Sequence, residues 1–442
     1  MKKIWLCVVF ILSAVMVVIP HAKAEEVQEV QKFTDVSIHK EWIIPVKSKK
    51  VTLKDLAVAL VDSEGEQQGV IVEKIKNEFI IKPKQPYKYG TEYSLHVQEL
   101  NVKNPLWLQI DFTTEYFKIE NPTALVRIGD IKEQYEQLKP VYTGKTYVKK
   151  PSLQSPYDMG ELQKGVLTDA LNTTNLMRYI AGLPANIQLN DNYNKEAQAA
   201  ALISAINPSL SHSPSQPSNM EKDLYDLAYK GASKSNLSKG RNSIVDSIIY
   251  GYMNDGSASN IGRVGHRLWI LSPKLKEVGF GLVTGSEEDW RTNGSAMKVI
   301  QDNMYKNSDL DYEYISWPAK TATPTNYFEA IYPWSFSLNP ELYDVKVAKE
   351  INITVTRLKD NKKWHFNQSK ADGYFNISTS NFGYLPYTII FRPENVGAED
   401  SESKYIEYEH GDHYKVEIAN VKRINGEITT IEFETTFFNL EQ

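Results

Sequence analysis

The residues best placed to do chemistry lie in the heptapeptide Gly265-His266-Arg267-Leu268-Trp269-Ile270-Leu271. A glycine opens a turn, an imidazole and a guanidinium follow, and an apolar run anchors them. Polar groups set immediately before a hydrophobic anchor suit a cleft wall, because the apolar residues fix the backbone that aims them. The same heptapeptide also reads as a loop entering a core segment, with an ordinary surface histidine. Histidine titrates in the range useful for acid-base catalysis. The chain carries no G-x-S-x-G elbow to present a serine and no H-E-x-x-H motif to mark a metal site. Glu409, His410, Asp412 and His413 bring four metal-ligand types together, but Gly411 marks a turn before a strand, and a solvated loop is the reading.

The chain has 442 residues, enough for about three domains, with the apolar and charged fractions of a folded protein. Residues 1–24 read as a secretory leader: Lys2 and Lys3 start it, an apolar run follows, and Ala22-Lys23-Ala24 makes a small-residue cleavage site. The only cysteine, Cys7, lies inside it. The mature chain is therefore expected to hold no disulfide, no thiolate metal site and no thiol nucleophile. Losing Lys2, Lys3 and Lys23 takes Lys+Arg from 50 to 47 against 55 Asp+Glu, a net charge of −8. That acidity speaks against nucleic acid as a partner. No later run is long and apolar enough to span a bilayer, so no stable membrane insertion is expected once the leader is gone. The expected fate is secretion.

Five regions are expected. After the leader, residues 33–118 alternate apolar and polar positions in short runs separated by turn signals such as Asp62-Ser63-Glu64-Gly65, which predicts a β-sandwich. Residues 119–160 are polar, with Pro140, Pro151 and Pro156, and read as a linker with a helix near 131–138. Helical spacing begins within 161–320. Leu167, Leu171, Thr174 and Ala181 mark a first helix, which Gly182 and Pro184 stop. A second, capped by Asn190 or Asp191, carries Ala197, Ala200, Ala201 and Ser204 on one face, letting its backbone lie close to whatever it packs on. Further helices are predicted near 219–230 and 243–253, then a glycine-rich loop over 255–262 and a strand over 277–283. Residues 321–442 return to strand patterns and predict a second β-sandwich.

Two of these regions resemble known families. The first resembles bacterial Ig-like domains through Ile80-Ile81-Lys82-Pro83, Gly90-Thr91-Glu92-Tyr93-Ser94-Leu95 and the closing Phe112-Thr113-Thr114. The central one resembles the CAP superfamily of cysteine-rich secretory, antigen 5 and pathogenesis-related proteins. The matching pieces come in family order: Asn175-Leu176-Met177-Arg178, Gly182-Leu183-Pro184, the alanine-rich helix, His212, Gly240-Arg241-Asn242, Tyr252-Met253-Asn254-Asp255, Gly265-His266-Arg267 and Val278-Gly279-Phe280-Gly281. The resemblance implies an α-β-α sandwich at 161–320, flanked by two all-β Ig-like sandwich domains.

That family's cleft holds two histidines and two acids. His212 and His266 match the histidines, and Asp255 falls where the downstream acid sits. Arg241 stands where the family usually has Glu, so a cation replaces a carboxylate beside two imidazoles. The resemblance makes Arg241, Asn242, His212, Asp255, His266 and Arg267 the expected cleft residues. Zinc or another divalent cation on His212 and His266, with Asp255 as third ligand, is one use of the site, opposed electrostatically by Arg241. Binding of an extracellular or cell-wall ligand without catalysis is the leading expectation. A hydrolase working on peptide or cell-wall material through His212, Asp255 and His266 is the alternative.

Overall fold

The computed structural model describes residues 29–45, 51–85, 87–88, 90–100, 107–114, 119–285, 289–301, 312–344, 350–395 and 404–442. The expected leader lies outside the described residues. The chain divides into two units, 1–117 and 118–442.

In the first unit the period-2 pattern becomes strands β1 (Glu29–Val36), β2 (Trp42–Pro45), β3 (Leu56–Asp62), β4 (Gln67–Gln68), β5 (Val70–Ile75), β6 (Glu78–Pro83), β7 (Glu92–Glu99) and β8 (Trp107–Thr114). They form a five-stranded sheet in the order β1-β8-β7-β3-β4 and a three-stranded sheet β2-β6-β5. Tyr93, Leu95 and Val97 of β7 alternate inward with Leu108, Ile110 and Phe112 of β8, and Trp42 and Phe79 join the same core from the smaller sheet. Alternate burial over one shared core is what the HPHP pattern dictates.

The second unit begins with α1 (Pro122–Leu138), whose first turn is set by Pro122 and by the Asn121 side chain, which accepts from the Thr123 and Ala124 amides. Within the segment 119–160, expected as a linker with a helix near 131–138, this helix starts earlier, at Pro122. Ile128 and Ile131 are buried in the unit's main core, and Arg127 Nη2 donates to Tyr179 O at 2.5 Å.

There follow β9 (Tyr147–Lys149), β10 (Glu161–Leu162), α2 (Lys164–Ile180), β11 (Gln188–Leu189), α3 (Asp191–Ile206), α4 (Lys222–Ser233), β12 (Ser235–Lys239), the single turn α5 (Ile244–Asp246), a π-helical stretch Ser247–Tyr252, α6 (Gly265–Ile270), β13 (Glu277–Val283) and β14 (Gly294–Lys298). The Asn190 side chain caps α3 through the Asn192 and Tyr193 amides. A four-stranded sheet runs β11-β13-β14-β12. In β13 the side chains of Val278, Phe280 and Leu282 enter a core with Ile180, Ile248 and Leu268, while Gly279 and Gly281 turn their bare faces to α3. Helices therefore cover both faces of the sheet.

The alanine face of α3 and the glycines of the sheet are one device. A Cβ on Gly281 would lie 2.2 Å from Ala197 O, and one on Gly294 2.4 Å from Ala201 O. The clash is with helix backbone, which cannot swing aside as a side chain would. Gly281→Ala is expected to cost about 3 kcal/mol through overpacking, read as a lowered urea midpoint with unchanged m-value.

The remaining strands are β15 (Tyr314–Trp317), β16 (Thr321–Pro324), β17 (Trp334–Leu338), β18 (Asn352–Arg357), β19 (Lys362–Phe366), β20 (Gly373–Ser378), β21 (Thr388–Pro393), β22 (His413–Lys422) and β23 (Ile428–Phe438). They build a four-stranded sheet β15-β17-β21-β20 and a five-stranded sheet β16-β23-β22-β18-β19. Phe336 stacks on Phe433 at 5.6 Å and Trp334 meets Tyr414 edge-on at 5.7 Å, so the sheets face each other across an aromatic core. The expected division at 320 is corrected in one respect. The strand over 314–317 pairs with β17 inside this sandwich and does not close the helical layer. Ile180, Ile248, Leu268 and Phe280 share a single buried cluster with Trp317, Trp334 and Phe391.

Candidate functional site

A cleft of about 500 Å³ opens beside the central sheet, lined by residues including His212, Lys239, Arg241, Tyr250, Tyr252, Asp255, Ser257, Ser259, Arg263, His266 and Ile331. Of the residues expected from the sequence, the fold gathers His212, Arg241, Asp255 and His266 here. Each comes from a different stretch of the chain. His212 stands in the loop between α3 and α4, Arg241 just after β12, Asp255 after the π-helical stretch and His266 in the first turn of α6.

Two backbone devices set Asp255 under His266. Asp255 itself has φ +48°, a left-handed conformation that Asp tolerates better than most residues. Val264, a buried β-branched residue, has φ +43° and ψ +42° at the start of α6. Such a residue costs of order 1–3 kcal/mol and persists only where its surroundings hold it. Here the Val264 amide donates to Asn260 O at 2.8 Å and its carbonyl accepts the first helical bond, from the Leu268 amide at 3.1 Å.

The electrostatics follow. His266 Nδ1 donates to Asp255 Oδ1 at 2.7 Å, and Asp255 Oδ2 accepts the Arg267 amide at 3.0 Å. The Asp255 side chain is fully buried and both its oxygens are engaged. His212 Nδ1 donates to Ala232 O at 2.8 Å. Each ring is thus anchored through Nδ1 at the cleft. Tyr252 sits 5.8 Å from the His266 ring, and its hydroxyl meets Ser295 Oγ at 3.2 Å. Burial depresses the His266 pKa, but the Asp255 charge and hydrogen bond outweigh that and the smaller opposing effect of Arg263. The net shift is upward from 6.5. A raised folded-state value means that ring protonation stabilises the fold in full below 6.5, and that this contribution fades as pH rises through the raised value. With Asp255→Asn, burial and Arg263 remain unopposed, so the ring is expected to titrate below 6.5 and the acid-side stabilisation to vanish. An NMR titration of the His266 ring protons checks this.

Arg241 Nη2 donates to Tyr250 O at 2.9 Å, and its backbone carbonyl accepts from Asn293 Nδ2 at 3.2 Å. Glu329 lies within its electrostatic reach. Burial raises the Glu329 carboxyl and Arg241 partly counters that.

Two expected cleft residues are placed elsewhere. Asn242 is exposed and meets Asn293 outside the lining. Arg267 is completely buried behind the cleft. Its Nε donates to Met253 O at 2.8 Å, Nη2 to Asn254 O at 2.7 Å, and Nη1 to Pro333 O at 2.6 Å and Ser335 Oγ at 3.0 Å. Burial pushes its pKa down to about 10, with Asp255 opposing, so it stays charged at neutral pH. It is a strut between the Asp255 loop and β17. In the other direction, Lys239, Tyr250, Arg263, Ser257, Ser259 and Ile331 line the cleft without having been singled out in the sequence. The glycine-rich 255–262 loop was the available signal for Ser257 and Ser259. Ile331 carried none, because it reaches the cleft from beyond the helical pattern.

The residues present fall short of a catalytic zinc set, which takes three protein ligands. Both oxygens of Asp255, the expected third ligand, already accept bonds from His266 and Arg267. Two imidazole nitrogens remain, and no group of three His, Cys, Asp or Glu suited to a metal occurs among the described residues. The Glu409 cluster is likewise tied up: Lys359 bridges Glu409 and Asp412, His413 Nε2 pairs with Glu434 at 2.9 Å, and His410 Nδ1 accepts the Asn439 amide.

With this geometry in view, residues 171–290 match the CAP family, described as the cysteine-rich secretory protein family. The matched stretch holds His212, Arg241, Asp255 and His266, and it is a CAP domain. No curated protein matches the chain. Among solved structures, an endo-fucoidan hydrolase of glycoside hydrolase family 107 overlays with 6% identity and TM-score 0.09, covering 91% of this chain and 44% of that one. A variant of that enzyme gives 5%, 0.12, 92% and 42%. The chain spans under half the length of these enzymes, and the overlays carry no shared fold.

Proposed function

We propose that this is a secreted extracellular or cell-wall-associated protein whose CAP cleft binds a ligand, with Ig-like β domains on either side acting as spacer or adhesion modules. The observation that carries the reading is the pair of imidazoles lining one cleft, each anchored through Nδ1. Side chains anchored by hydrogen bonds before a ligand arrives lose little entropy on binding. The leader, acidic mature charge and absence of cysteine after residue 24 support the extracellular setting. Among the described residues no helix is long and apolar enough to cross a membrane.

Co-sedimentation of the mature chain with insoluble bacterial cell-wall material tests the reading. The wild type is expected to sediment and His212→Ala/His266→Ala to stay in solution. Equal sedimentation of the two would remove the cleft from recognition.

One observation favours a second reading. A buried carboxylate orienting a histidine is the arrangement that makes an imidazole a general base. A hydrolase acting on peptide or wall material would then use His266 to take a proton from water, with Asp255 stabilising the charged ring and His212 holding substrate. Release of soluble fragments from wall material, lost in a folded His266→Ala, would establish it.

A further inference from the structure

Resting on the cleft reading above, we infer that the cleft takes an oxyanion, a carboxylate or phosphate group, on the Arg241 guanidinium. Three cations, Lys239, Arg241 and Arg263, line it against one acid, Asp255. That acid offers nothing to the cleft, because it is fully buried and both oxygens accept bonds from His266 and Arg267. Lys239 is also occupied, its Nζ donating to Ser204 O at 3.1 Å and to Asn207 O at the end of α3. Arg241 differs. One Nη2 bond to Tyr250 O anchors its guanidinium at one corner, and no carboxylate among the described residues forms an ion pair with it.

A guanidinium anchored at one corner presents the rest of its fork to two oxygens of a planar or tetrahedral anion. Arg263 reinforces it from the exposed lip, where its Nη2 donates to the neighbouring Asn260 Oδ1 at 3.4 Å. The exposed hydroxyls of Ser257 and Ser259, 3.2 Å apart on the same lip, supply neutral donors. Lysine and arginine crowding a concave wall raise the local concentration of anions even around a protein of net negative charge. Glu329 is the competing charge, since Arg241 acts on it through space.

The test is an NMR titration of the His212 and His266 ring signals in the mature full chain at neutral pH and constant ionic strength. Inorganic phosphate is the probe in one arm and malonate in the other. Saturable movement of both rings is expected with at least one probe. Phosphate alone would assign a phosphate-bearing ligand and malonate alone a carboxylate-bearing one. Arg241→Gln is expected to raise the midpoint at least tenfold and Glu329→Gln to lower it. Arg263→Gln, an exposed change that leaves folding intact, is expected to raise it about threefold. No saturable movement with either probe, or midpoints unchanged in Arg241→Gln and Arg263→Gln, would overturn the inference. Saturable anion binding by a chain that fails to sediment with wall material would keep the anion site and remove the wall as its target.

Discussion

Arg267→Ala is expected to destabilise the second unit by about 4 kcal/mol or more, seen as loss of a cooperative transition at urea concentrations where the wild type is folded. Truncation leaves the carbonyls of Met253, Asn254 and Pro333 and the Ser335 hydroxyl without their donor in the interior. Each buried acceptor so orphaned costs about 1–3 kcal/mol, and the emptied volume adds a cavity term. Arg267→Lys restores the charge but not the reach. A single ammonium cannot serve acceptors spread around a planar fork, so less than half of the loss is expected to return. The Asp255 loop loses its strut, and the His266 ring signal is expected to broaden before global unfolding. Arg241→Ala, in contrast, removes one backbone hydrogen bond at a half-open site and is expected to cost about 1 kcal/mol. Were Arg267 a cleft ligand and Arg241 the strut, the two results would exchange places.

That contrast shows where the chain was legible from its residues. Asn190 capping α3, the alanine face and the helix stop at Gly182 follow from local chemistry, and each is found. The resemblance to the CAP superfamily implied one cleft for His212, Asp255 and His266, and the three line one cleft in the fold. Arg267 was misplaced because nothing local marks a buried cation. Two of its four acceptors, Pro333 O and Ser335 Oγ, lie more than sixty residues downstream on a strand of another layer. Only the second half of α1 was expected, for a related reason: just Ala124, Ile128 and Ile131 of its seventeen residues are buried, too thin a stripe to mark the whole helix in a polar, proline-bearing stretch. The glycines of β13 were noted as a motif, but their purpose, clearance for the α3 backbone, appears only when the helix is laid on the sheet.

The 161–320 segment, cut out by itself, is expected not to fold, although it contains the whole stretch that matches the CAP family. The first cut removes α1, whose Ile128 and Ile131 fill the core beside α2. The second removes Pro333 and Ser335 from Arg267, Tyr332 from Ile249 O, which it reaches at 3.0 Å, and Asn376 from Gly262 O, which it reaches at 2.6 Å. It also bares the underside of α6, where Trp269 meets Phe382 and Tyr384 edge-on at 6.4 Å and where Gly383 lies against Leu268 O. Every CH₂ so exposed forfeits about 0.8 kcal/mol, and a domain has only about 5–15 kcal/mol to lose. A fragment over 119–442 retains all of these contacts. It is expected to give dispersed NMR signals and one cooperative urea transition, while 161–320 gives collapsed dispersion and none. A folded 161–320 fragment with a resolved, high-pKa His266 would show that the sandwich only leans on the cleft. Failure of that fragment beside a folded 119–442 would show that the C-terminal strands are part of the site's foundation. Ligand and metal titrations would then have meaning only on chains that keep them.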